Sequence, residues 1–158
     1  MCSSDLTLTV RENIQVAASA RARLTGGEPP GETASRLIAK VGLGPVADVR
    51  ADALPTGQGR LVELARALAT GPRLLLLDEP ASGQDESESE HFADLLRQLA
   101  ADGMGVLLVE HDVHLVMAVC EYIYVLDFGR MLAAGSPEAV RNDPAVLAAY
   151  LGSEWQTA

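Results

Sequence analysis

Leu74-Leu75-Leu76-Leu77-Asp78-Glu79-Pro80 is an unbroken apolar run that stops at two carboxylates and a proline. Four apolar residues bounded this way read as a buried strand rather than a helix. Upstream, Leu61, Leu64, Ala65 and Leu68 recur at i, i+3, i+4 and i+7, which predicts an amphipathic helix directly after Gly57-Gln58-Gly59, stopped by Gly71-Pro72. Downstream come a helix with Phe92, Leu95, Leu96 and Leu99 on one face, a second apolar run at Val106 to Val109, a helix through Leu115 and Val119, and a third run at Tyr122 to Leu126. Apolar strands alternating with amphipathic helices predict an α/β fold whose mostly parallel sheet is covered on both faces.

Further out, Thr9 and Glu12 have capping-box spacing, so a helix starts there and runs towards Arg23. The stretch from Thr25 to Gly31 breaks it, and a second helix is expected over Ala34 to Val41. Asp127-Phe128-Gly129-Arg130 predicts a tight turn into a strand at Met131 to Ala134, and Ser136-Pro137 and Asp143-Pro144 start two short helices ending at Gly152.

With 158 residues, 48% of them hydrophobic, the chain can bury one ordinary core. A net charge of -10 argues against nucleic acid as a partner, because phosphate binding is dominated by Lys and Arg. No apolar run approaches the roughly 20 residues needed to cross a bilayer. Cys2 and Cys120 fit a reducing compartment, Cys120 as a small buried hydrophobe. His91 and His114 read as surface residues, and no metal-ligand spacing links the three histidines.

Ligands of open α/β sheets bind beyond the carboxyl ends of the strands, where Asp78, Glu79, Glu110 and His111 fall. Asp78, fixed by its strand, suits Mg²⁺, which takes one or two carboxylates plus substrate phosphates. Glu79 points elsewhere and could polarise a water. His111 ends the next apolar run, so it should emerge on the same sheet edge and could hydrogen-bond a phosphate. Gly57 and Gln58 open a helix whose N-H groups and dipole favour an anion. Taken singly, these are equally a solvated turn, a structural histidine and an ordinary glycine cap.

In order, Leu54-Pro55-Thr56-Gly57-Gln58, Leu77-Asp78-Glu79-Pro80, Ala81-Ser82-Gly83-Gln84-Asp85 and Val109-Glu110-His111-Asp112 resemble the ABC ATPase family over about Thr7 to Gly152. The resemblance implies that Leu54, Pro55, Thr56, Gly57 and Gln58 are the signature motif, which contacts ATP in trans. It makes Asp78 the Walker B ligand of Mg²⁺, Glu79 and His111 the catalytic glutamate and switch histidine, and Ser82, Gly83, Gln84 and Asp85 the D-loop. ATP and Mg²⁺ are the implied cofactors. The implied partners are a second ATPase subunit, a transmembrane permease and, indirectly, a substrate-binding protein, with the chain peripheral on the cytoplasmic face of the inner membrane.

Within the family, Leu8-Thr9-Val10-Arg11-Glu12-Asn13-Ile14, Glu110-His111-Asp112, Val125-Leu126-Asp127-Phe128-Gly129 and the segment from Asn142 to Gly152 are similar to branched-chain amino-acid importer ATPases. Lipopolysaccharide-export ATPases are the nearest rival. Two positions depart from the pattern: Pro55 replaces the usual signature serine, and Gln84 stands where leucine is common.

The lone lysine, Lys40, precedes Val41, so the Gly-Lys-Ser/Thr phosphate loop is absent from these residues. The expectation is therefore the C-terminal part of a P-loop, RecA-like nucleotide-binding domain, lacking its N-terminal strands and Walker A and inactive by itself. The expected division is a helical subdomain over residues 7–70, the second half of the core over 71–152, and a tail over 153–158. Residues 1–6 are expected to be a non-native tail, since TGC TCT TCC GAT CT, the end of a common sequencing adapter, spells Cys2 to Asp5 and begins Leu6; the alternative is a native polar start. A DNA-repair ATPase is disfavoured by the lack of heptads and of positive charge, and a phospho-acceptor domain by the lack of any lysine after Asp78. A non-catalytic partner-binding module remains the other reading.

Overall fold

Thr9 caps the first helix, α1 (Val10–Thr25): its hydroxyl accepts the Glu12 N-H while the Glu12 carboxylate accepts the Thr9 N-H, closing the expected capping box. The computed structural model describes residues 7–151, so the tail 1–6 with Cys2, the helix end at Gly152 and residues 153–158 lie outside the described residues. The chain forms two compact units, one through Glu110 and one from His111.

In the first unit, α1 packs against α2 (Pro30–Lys40) and α3 (Thr56–Ala69). Val10, Ile14, Leu37, Ile38, Leu64 and Leu68 are buried there. Helix α2 starts four residues before the expected Ala34 because Pro30 occupies its first position, where the missing N-H costs no hydrogen bond. In α3, Val62 is buried and Leu61 only half-buried, a small rotation of the predicted apolar face.

The two helices α1 and α2 are held at their ends by carboxylates. Glu28 accepts from the Thr33 hydroxyl and forms an ion pair with Arg36 at 2.8 Å. Arg36 and Thr33 hold the Glu28 carboxyl below its ordinary 4.5, and the Thr9 backbone and hydroxyl do the same for Glu12. Both folded values are depressed, so their contribution is complete above the ordinary carboxylate range and is lost as pH falls through the lowered values. Acid titration of thermal stability should therefore show a decline beginning near 4.5, and Glu28→Gln should make that decline shallower.

Strand β1 (Leu74–Asp78) pairs in parallel with β2 (Gly105–Val109), with Leu76 opposite Leu107 and Asp78 opposite Val109. Helix α4 (Glu86–Ala101) connects them and lies against β2, burying Phe92, Leu95, Leu96 and Leu99 as expected. Leu75 is buried, but Leu74, Leu76, Leu107 and Val109 are each more than half exposed. The period-2 alternation puts these four on one face, so the expectation of a sheet covered on both faces fails there. These three leucines and Val109 form an apolar face that the described residues leave exposed.

In the second unit, α5 (Val113–Val119) precedes a hairpin of β3 (Ile123–Asp127) and β4 (Arg130–Gly135). The apolar run at Tyr122 to Leu126 does form a strand, but its described partner is β4 and the pairing is antiparallel. Phe128 and Gly129 both adopt positive φ, 43° and 75°, the type I′ geometry that fits a two-residue hairpin loop. Ile123, Val140 and Val146 form the core of this unit, with Val116, Met117 and Val125 packed on it. Short helices α6 (Pro137–Arg141) and α7 (Pro144–Val146) begin at caps Ser136 and Asp143, whose side chains accept the backbone N-H groups of the first turns. Cys120 is half-buried against this core, and burial pushes its thiol up. Among the described residues no helix is long and apolar enough to cross a membrane.

Candidate functional site

Asp78 is the last residue of β1, exposed, on the open face of the sheet. Glu79 follows with φ of 44°, a left-handed conformation that costs a non-glycine residue roughly 1 to 3 kcal/mol. Three bonds hold it there. The Glu79 N-H donates to the Val109 carbonyl at 2.9 Å, the Ser82 N-H donates to the Glu79 carbonyl at 3.3 Å, and the Ala81 N-H donates to Glu110 Oε1 at 2.9 Å. Pro80 and Ala81 are buried while Glu79 is exposed. The chain turns over a buried Pro-Ala step and leaves two adjacent carboxylates exposed to solvent.

The parallel register makes Asp78 level with Val109, so Glu110 leaves β2 at the same edge. His111 comes next in the chain, exposed, and belongs to the second unit; Asp112 behind it caps α5, accepting the His114 and Leu115 N-H groups. His91 and His114 are exposed, as expected.

The segments Leu54 to Gln58 and Ser82 to Asp85 come together within the first unit. Pro55 occupies the N-cap of α3 and provides no side-chain acceptor, so the N-H groups of the first turn at Thr56, Gly57 and Gln58 have no side-chain cap. Leu54 is half-buried, Pro55 and Thr56 are exposed and Gly57 is buried. A Cβ at Gly57 would lie 2.6 Å from Glu88 Oε2, so only glycine lets that carboxylate approach the helix start. The position corresponding to a Cβ at Gly83, whose φ is 79°, lies 3.5 Å from Thr56 Cγ2. Gln58, Gln84, Ser87, Glu88 and His91 line one cleft of about 240 Å³ with Gly42 and Gly57. The Oε1 atoms of Gln58 and Gln84 are both buried without a hydrogen-bond partner.

Glu88 was not among the residues singled out from the sequence. Its signal was present: Asp85 and Glu88 form a second capping box, in which each residue's carboxylate accepts the other's N-H, at the start of α4. Glu110 was noted for its place at the strand end and within the Glu110-His111-Asp112 switch segment, with no contact assigned to its side chain.

No group of three or more His, Cys, Asp or Glu among the described residues could hold a metal by itself. Mg²⁺ commonly binds through only one or two carboxylates together with substrate phosphates. Asp78 and Glu79 are the exposed carboxylates at this strand end that could contribute a single oxygen ligand to such an ion.

Residues 3–82 match the family model described as ABC transporter, and residues 130–155 match the one described as branched-chain amino acid ATP-binding cassette transporter. The lipopolysaccharide export system ATP-binding protein LptB of Acidithiobacillus ferridurans is 40% identical over 79% of this chain and 52% of its own length. The high-affinity branched-chain amino acid transport ATP-binding protein BraF of Pseudomonas aeruginosa is 41% identical over 77% of this chain and 48% of its own. The chain thus spans about half the length of these relatives. Among solved structures, an ATP-binding cassette of an ABC transporter superposes with a TM-score of 0.81 at 27% identity, over 96% of this chain and 66% of that one. A nucleotide-free cassette does so with a TM-score of 0.80 at 25% identity, over the same shares. With a family model matching half of its residues, the chain belongs to the ABC transporter family, whose ATP-binding subunits hydrolyse ATP coupled to transport.

Proposed function

We propose that this chain supplies the signature, Walker B, D-loop and switch segments of an ATPase subunit that drives import of branched-chain or other hydrophobic amino acids. The observation that carries the amino-acid reading is the match of residues 130–155 to the branched-chain transporter model. Overall likeness is divided almost evenly between a branched-chain relative and a lipopolysaccharide-export relative, at 41% identity over 77% of the chain and 40% over 79%.

In this reading residues 7–70 form the helical subdomain that docks on a permease, and residues 71–152 the second half of the catalytic core. Asp78 would hold Mg²⁺, which would supply charge compensation to the phosphate oxygens. Glu79 would orient a water and take its proton as the water oxygen bonds to the γ-phosphorus and the bond from that phosphorus to the bridging oxygen breaks, releasing ADP and phosphate. The imidazole of His111 donates a hydrogen bond to that phosphate. Thr56, Gly57 and Gln58 present the uncapped first turn of α3 to nucleotide held by a second subunit, with backbone N-H groups doing the work that Pro55 cannot. Gln84 and its D-loop neighbours face the same partner. A lysine-bearing phosphate loop would come from outside these 158 residues, so the polypeptide alone should show negligible turnover.

The test is purification of the membrane assembly through a tag on this chain, followed by ATPase assays in proteoliposomes. Stimulation by leucine, isoleucine or valine with a substrate-binding protein is the expected result. Stimulation by lipopolysaccharide and by no amino acid would overturn the import reading in favour of export.

A further inference from the structure

We infer that Glu110 is a positioning residue for the Asp78–Glu79 pair, acting through the backbone of the turn that follows β1. The inference rests on the roles proposed above for those two carboxylates, but the contact itself does not. Two successive residues at the end of β2 hold two alternate residues of the turn: the Val109 carbonyl accepts the Glu79 N-H at 2.9 Å, and Glu110 Oε1 accepts the Ala81 N-H at 2.9 Å. Between them lies Pro80, which has no N-H to contribute.

Glu79 has a positive φ that a non-glycine residue adopts only when its surroundings impose it. Ala81 is 8% exposed, so its N-H has little access to water and needs a protein acceptor. Without the Glu110 carboxylate, one side of the clamp opens, the turn can relax at Glu79, and the carboxylate loses its fixed direction relative to Asp78. Because the acceptor lies on the residue just before His111, the same side chain also ties the start of the switch segment to the start of the D-loop, by a bond spanning 29 residues.

Gln can replace Glu as an acceptor through its carbonyl oxygen, and Ala cannot. Amide hydrogen exchange of Ala81 in the full chain should speed up at least tenfold in Glu110→Ala and stay within about threefold of wild type in Glu110→Gln. In the assembly whose turnover depends on Glu79, Glu110→Ala should lower kcat at least tenfold with KM within about twofold, and Glu110→Gln should restore most of it. An unchanged Ala81 exchange rate in Glu110→Ala, equal loss of protection in both variants, or an unchanged kcat in such an assembly would each overturn the inference. If Glu110→Ala does not fold, the comparison of Glu110→Gln with wild type still decides, since a loss of protection there contradicts the acceptor role. Should turnover prove independent of Glu79, the functional reading fails, and Ala81 exchange alone then decides on Glu110.

Discussion

Glu79→Gln is expected to cut ATP turnover by the assembly containing this chain by roughly 10²- to 10⁴-fold, the range that a positioned general base contributes. Gln keeps the size and the hydrogen-bonding carbonyl of the side chain but cannot accept the proton of an attacking water. The turn is held mainly by backbone bonds at Glu79 and by the Ala81 to Glu110 contact, none of which involves the Glu79 carboxylate. The substitution should therefore leave the fold and nucleotide affinity close to wild type, so that kcat falls while KM changes little. Phosphate release at saturating ATP measures the first quantity and equilibrium binding of a non-hydrolysable analogue the second. Turnover within a few-fold of wild type would remove Glu79 from the reaction. A parallel loss of nucleotide binding would move its role to holding the ion or the phosphates.

How much of this arrangement the sequence discloses depends on the range of the interaction. The capping box at Thr9 and Glu12, the cap-plus-proline starts at Ser136 and Asp143, and the turn at Phe128 and Gly129 all formed where expected. Each is settled within a few residues by backbone geometry. The start of α2 was misplaced for an equally local reason: two consecutive prolines read as a breaker, although the second is harmless at a first helical position. The leucine run at residues 74–77 was correctly a strand, but whether both of its faces are covered depends on what else packs there, which no local pattern contains. The same holds for the site. Strand ends at Asp78 and Val109 were legible because parallel pairing makes them level. The approach of Glu88 to Gly57, and of Glu110 to Ala81, joins segments far apart in the chain and follows from the packing of α4 and from the strand register.

Phe92→Ala should have the largest effect on stability of any single truncation in the first unit. Phe92 is 1% exposed and heads the largest fully buried side chains, on the face of α4 that also carries Leu95, Leu96 and Leu99. Truncating a buried phenylalanine typically costs about 3 to 5 kcal/mol, because the transfer free energy is lost and a cavity remains. Against a total stability of roughly 5 to 15 kcal/mol for a domain, that is a large share. Among the described residues the sheet of this unit has two strands, and Leu76 stands 65% exposed on its open face. Helix α4 packs against β2 and buries its own apolar face there, so with α4 loosened the paired strand ends that carry Asp78 and precede Glu110 lose support. A fall in melting temperature of more than about 10 °C is expected, with loss of Ala81 amide protection at the same time. Leu24→Ala, at a side chain 87% exposed, serves as the control and should stay within about 0.5 kcal/mol of wild type. Equal melting of the two variants would mean that α4 does not carry the sheet, and the rigidity claimed for the carboxylate pair would lose its physical basis.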